Sequence, residues 1–390
     1  MFSSRLHWDL EPNSLVRALA CKRAAGEPIW DLTESNPTRV GFSYPESSIL
    51  EALSDEASLR YSPDPKGLES ARRAVGRYYK TRGASPLINN VFLTSSTSEA
   101  YGYLFKLLCD PGDEILVPRP GYPLLDFLAS FENARAVPYP LLFDDNWHID
   151  FHTLETLVSD RTRAILIVHP NNPTGSYVSE RDRAELLRIC RRRRLALVVD
   201  EVFLDFSFDG VPRRSYASCD KGLVFVLSGL SKLAGLPQMK LGWILVAGSP
   251  ELREEARERL EHICDAYLTV GTPVQVAAER LFATAPSLRR EILDRASRNL
   301  RVLRDHDTVT PLVPEGGWYA VLRLPPIASS EDWALALLRR ASVHVHPGPL
   351  FGFDSEAYVV VSLLPKVATF EEGVRHLLRV VSDELDSSDA

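Results

Sequence analysis

Apolar residues recur along the chain in two rhythms. Unbroken runs such as Ala164-Ile165-Leu166-Ile167-Val168 suit strands covered on both faces. Comparable runs predict strands over residues 91–94, 114–117, 195–199, 224–227 and 243–246. Elsewhere the spacing is helical, over 68–80, 99–108 and 181–192. Strands alternating with helix-length connections predict parallel βαβ units and a doubly wound α/β domain. After Pro250 the rhythm changes. Helices are predicted over 252–266, 274–283, 288–304 and 333–341, with short strands near 319–324 and 358–363. That tail reads as a smaller α+β domain, completed by the N-terminal segment. The expected division is an arm over 1–45, a large domain over 46–280 and a small domain over 281–390. Residues 382–390, rich in Ser and Asp, read as a frayed tail.

Length and composition narrow this picture. A chain of 390 residues suits two domains. Its net charge of −7 offers no basic footprint, which argues against nucleic acid and anionic membranes as partners. No stretch approaches the roughly 20 apolar residues of a membrane helix, and residues 1–10 carry no apolar run of a secretory leader. Five scattered cysteines without a C-x-x-C pair suit reduced thiols, so a cytoplasmic location is expected. His344-Val345-His346 puts two imidazoles on one strand face, but no metal is expected.

In open parallel sheets, ligands sit in the loops that follow the carboxyl ends of strands. Polar residues gather there four times: Ser95-Ser96-Thr97-Ser98, His169-Pro170-Asn171-Asn172-Pro173-Thr174-Gly175, Asp200-Glu201 and Ser228-Gly229-Leu230-Ser231-Lys232. Hydroxyls and N–H groups at a helix start receive an anion. A buried aspartate can pair with a protonated ring nitrogen, and a desolvated lysine can form an imine. Together they suit a phosphorylated aldehyde with a ring nitrogen.

The order Asn171-Asn172-Pro173-Thr174-Gly175, Asp200-Glu201-Val202-Phe203 and Ser228-Gly229-Leu230-Ser231-Lys232 resembles the class I/II aminotransferases of PLP fold type I. Pro111-Gly112-Asp113-Glu114, Pro120-Gly121-Tyr122-Pro123 and Pro314-Glu315-Gly316-Gly317 extend the likeness over roughly residues 31–378. The resemblance implies pyridoxal 5'-phosphate as cofactor, with Lys232 as its Schiff-base lysine and Asp200 on the pyridine nitrogen. It places Asn172 at the ring hydroxyl, Tyr122 on the ring face, and Ser96, Thr97 and Ser98 around the phosphate. Tyr61 matches a tyrosine that reaches the neighbouring subunit's phosphate, which implies a homodimer.

Four positions depart from the family pattern. Phe203 stands where a tyrosine usually bonds the ring oxygen, leaving Asn172 alone there. Gly229 replaces a serine, with Ser228 or Ser231 as substitutes. Lys240 stands where an arginine grips the phosphate, and it offers a point charge rather than a fork. Val360 occupies the place of the substrate-carboxylate arginine. Another cation then takes that task, with Arg39 in the loop after Asn36 as the candidate, or the substrate lacks an α-carboxylate. The leading reading is a transaminase acting on an amino donor and a keto acid. A PLP-dependent β/γ-lyase or synthase is the runner-up, and a catalytically silent PLP-binding protein the third, opposed by the intact Lys232.

Overall fold

The computed structural model describes residues 2–6, 11–304, 306, 308–353 and 357–388. A two-residue strand, β1 (Trp30–Asp31), comes first. Eight strands then build one large sheet: β2 (Val91–Thr94), β3 (Glu114–Arg119), β4 (Arg135–Asp144), β5 (Asn146–Ile149), β6 (Thr162–Val168), β7 (Ala196–Asp200), β8 (Leu223–Gly229) and β9 (Gly242–Gly248). Their order across the sheet is β2-β9-β8-β7-β6-β3-β4-β5. β7 is buried throughout, as its unbroken apolar run requires.

The central pairings β8–β7, β7–β6, β6–β3 and β3–β4 are parallel. β9 runs antiparallel to both β8 and β2, which corrects the expectation of a parallel run through residues 243–246. The link from Gly229 to Gly242 contains one turn of helix (Leu230–Leu233) and a 3-10 turn, too little to carry the chain back across the sheet. It reverses instead, and Lys232 rides in that reversal. The hairpin β4–β5 had no apolar signature because β4 is mostly exposed or half-buried and carries Pro138 and Pro140, which fall in the part that pairs with β3 alone.

Two apolar layers cover the sheet, one containing Leu197 and Val199 and the other Val198 and Phe225. The small domain has a sheet ordered β10 (Thr310–Leu312), β11 (Tyr319–Arg323), β14 (Tyr358–Ser362), β13 (His346–Pro347). Beside it β12 (Val343–His344) pairs with β1, and Leu32 lies in the same core as Val359 and Val361.

The residues predicted as helices 274–283 and 288–304 form one helix, Thr272–Val302, with Pro286 inside it. A proline costs an interior helix one hydrogen bond. Here a buried stripe of Ala277, Leu281, Ala285, Leu288, Ile292, Ala296 and Leu300 holds both halves, and it links the cores of the two domains. The C-terminal helix Val367–Ser388 likewise takes in residues 382–388, which had read as a frayed tail; residues 389–390 lie outside the described part. All five cysteines are free. Among the described residues no helix is long and apolar enough to cross a membrane.

Candidate active site

Asp200 ends β7, and its neighbour strands β6 and β8 end beside it, with Val168 and Leu227 in register. The carboxylate is only 4% exposed. Its Oδ1 accepts from the Val202 N–H at 3.0 Å and its Oδ2 from the Tyr101 hydroxyl at 2.7 Å. Burial pushes its pKa up to about 6, against the pull of Tyr101, Val202 and the nearby Lys232.

Lys232 lies in the short helix after β8. Its amine sits 4.9 Å from the Trp318 ring centre and 5.6 Å from that of Phe203. That apolar enclosure lowers its pKa from 10.5 to about 8, although Asp200 works the other way. Phe203, Phe206 and Trp318 pack edge to face, with Val40 and Phe42 in the same cluster.

The helix Thr97–Leu108 starts at the same end of the sheet. Ser96 caps it by accepting from the Glu99 N–H at 3.2 Å, and Glu99 accepts from the Ser95 N–H at 2.7 Å. Ser96 thus caps this helix, while first-turn N–H groups at Thr97 and Ser98 have no carbonyl within their own helix. The Tyr122 hydroxyl stands close enough to feel both the Ser98 hydroxyl and the Asp200 charge. Asn172 follows β6, and its buried amide oxygen has no partner. The loop is held by Gly175, at φ +68°, whose carbonyl accepts from the Glu315 and Gly316 N–H groups at 3.2 and 3.0 Å. A Cβ there would lie 2.3 Å from Pro314 Cβ, so two of the quoted motifs meet only because the residue is glycine.

Other expected positions fall less centrally. Ser228 is buried with its hydroxyl 3.5 Å from the Glu201 carbonyl, while Ser231 is half-buried beside Lys232. A Cβ on Gly229 would stand 3.0 Å from the Leu241 carbonyl, which explains the small residue there. Lys240 is exposed at φ +49°, two residues before Gly242, and a Cβ on that glycine would lie 3.1 Å from the Ser96 carbonyl carbon. Tyr61 is 80% exposed. Asn36 spends its side-chain oxygen on Thr38, and Arg39 is exposed beside Val40. Val360 is buried with Leu312, Val321, Phe351 and Phe353, and its strand neighbour His346 is driven down to about 4 by burial. His346 is therefore neutral at pH 7. His344 pairs with Asp31 at 3.3 Å.

Two residues of the site went unnamed in the sequence. Tyr101 lies one helical turn after Ser98, so the 3.6-residue period alone puts it on the face that meets Asp200. Trp318 directly follows Gly316-Gly317, a motif already singled out, but its meeting with Lys232 depends on how the two domains pack.

A buried lysine beside a buried aspartate at the carboxyl end of a doubly wound sheet suits the PLP enzymes of fold type I. The sequence pattern of aminotransferase class I and II matches residues 30–377, and the chain belongs to that family. It is 28% identical over 370 residues to "Glutamate-pyruvate aminotransferase AlaA" of Haemophilus influenzae, covering 92% of each chain. It is 25% identical over 394 residues to tyrosine aminotransferase of Mus musculus, covering 94% of this chain and 86% of that one. The fold of alanine aminotransferase from Pyrococcus furiosus matches with a TM-score of 0.90 at 24% identity, over 98% of this chain and 100% of that one. The protein is thus a PLP-dependent aminotransferase. The unpartnered Asn172 oxygen, the enclosed amine and the carboxylate held by two donors fit that cofactor.

Proposed function

We propose that this aminotransferase acts on α-amino acids and keto acids, as a cytoplasmic homodimer. The observation that carries the reading is the enclosed Lys232 amine beside Asp200. When bound, pyridoxal phosphate supplies an aldehyde for the lysine and an electron sink for the substrate carbanion. Lys232, as the free amine, would hold the cofactor's aldehyde carbon and would then move the proton at the substrate α-carbon. Asp200 holds a proton on the pyridine nitrogen, and Tyr101 and Val202 keep its carboxylate charged and aimed. Asn172 serves the ring oxygen and Tyr122 the ring face, while Phe203 bounds the site without a hydrogen bond. Ser96, Thr97 and Ser98 receive the phosphate, with Ser231 and Lys240 nearby.

The relatives are named for glutamate, pyruvate and tyrosine, all carboxylates. Arg39 is the cation offered for that group, carried by a loop whose Val40 packs into the Phe203–Trp318 cluster. A donor without a carboxylate is the second reading, favoured by the apolar burial of Val360. A donor screen following conversion of the bound cofactor to its pyridoxamine form separates them. Conversion by α-amino acids supports the first; conversion only by carboxylate-free amines overturns it. The exposed Tyr61 and Leu59 suit a surface that a second subunit covers. A solution mass of twice the 43.6 kDa chain is expected, and a monomer retaining full activity contradicts the dimer.

The depressed amine sets a pH dependence. A pKa lowered from 10.5 to about 8 leaves about 300-fold more free amine at neutral pH than an ordinary lysine. Capture of pyridoxal phosphate by the apoprotein should therefore rise with pH and level off above about 8. Stopped-flow absorbance at a series of pH values measures this, and a rise continuing past pH 10 contradicts the enclosure.

Tyr101→Phe removes one of the two donors on Asp200. The carboxylate then binds its proton more tightly, and its titration moves upward by roughly one pH unit with about a 10-fold loss in kcat. The pH profile of kcat reads both effects, and an unmoved profile refutes this role of Tyr101.

A further inference from the structure

The site contains a hydrogen-bond donor that neither the cofactor roles nor the quoted motifs use. Trp318 is fully buried, and its indole N–H has no partner. Indole only donates, so the group needs an acceptor oxygen, and a buried donor without one is costly. Edge-to-face contacts with Phe203 at 5.4 Å and Phe206 at 5.2 Å fix the ring. It cannot swing toward a distant partner without breaking that cluster.

Its position points to the substrate end of the site. The Trp318 carbonyl accepts from the Leu363 N–H at 2.7 Å, which ties it to the strand carrying Val360. Its ring packs in the same cluster as Val40, the neighbour of Arg39. The next residue, Tyr319, lies close enough to Ser35, beside Asn36, for that hydroxyl to act on its own. The Trp318 ring centre is 4.9 Å from the Lys232 amine, where a substrate amino group must arrive. The Trp318 ring thus lies against the reacting lysine and packs with the neighbour of the candidate substrate residue Arg39.

We propose that the Trp318 indole N–H donates to a carboxylate oxygen of the substrate, taking over part of the task that Val360 cannot perform. Arg39 supplies charge at the mouth, and Trp318 supplies direction inside. The inference rests on the α-amino acid reading above and adds a specificity-determining residue to it.

Trp318→Phe in the holoenzyme keeps an aromatic ring and removes the donor. Trp318→His returns a ring N–H. With L-alanine or L-tyrosine, whichever the wild type converts faster, the phenylalanine variant should raise KM about 10-fold with a smaller fall in kcat. The histidine variant should stay within about threefold of wild type in KM. The pH midpoint of the bound cofactor's absorbance should be unchanged in both. An unchanged KM in Trp318→Phe overturns the inference, as does a shifted midpoint, which would place the donor on the cofactor ring oxygen. Loss of cofactor binding in both variants would reduce Trp318 to packing and overturn it too. A wild type that converts no α-amino acid defeats the parent reading instead, so the two failures are distinguishable.

Discussion

Lys232→Ala lowers the rate of amino transfer by about 10⁴-fold or more, because one side chain serves as both nucleophile and proton carrier. Its amine is the one enclosed by the Trp318 and Phe203 rings beside Asp200. The phosphate and ring contacts remain, so the variant should still bind pyridoxal phosphate without the covalent link. Added methylamine should restore part of the rate by supplying a free base in the vacated space. Single-turnover absorbance measures this, and a variant within tenfold of wild type contradicts the role given to Lys232.

Asp200→Asn is the second large effect. The amide keeps the shape of the carboxylate, and its oxygen can still accept from Val202 or Tyr101. What it loses is the negative charge that holds a proton on the pyridine nitrogen. A loss of about 10²–10³-fold in kcat follows, the scale of removing one preorganised electrostatic partner. An independent readout comes from Lys232, whose ammonium form Asp200 now favours. Without the charge, the lysine pKa falls further below about 8, and the pH midpoint for cofactor capture moves down. A midpoint that stays or rises argues against the coupling.

Both residues were legible in the sequence because their chemistry sits at strand ends that apolar runs announce. The run 195–199 predicts a strand, and the next residue, Asp200, is confined by it to the ligand-binding edge. Lys232 was legible in the same way after β8. The direction of β9 was not, since it depends on the short return between Gly229 and Gly242 rather than on any periodicity. Residues 274–304 read as two helices, but the buried stripe from Ala277 to Leu300 outweighs the one hydrogen bond missing at Pro286. Val360 was visible as a departure from the family. What surrounds it was not: Phe351 and Phe353 come from another segment, and the neutral state of His346 is a consequence of burial. Trp318 shows the same limit. Its place after Gly316-Gly317 is local information, but its nearness to Lys232 is created by packing between domains.

The Lys232 assignment is tested most directly by reducing the holoenzyme with borohydride and mapping the labelled peptide by mass spectrometry. Reduction fixes the cofactor to whichever lysine holds it. A single phosphopyridoxyl label is expected on Lys232, absent from the Lys232→Ala variant. A label on Lys66, Lys240 or any other lysine, or no label in protein that transfers amino groups, would contradict it.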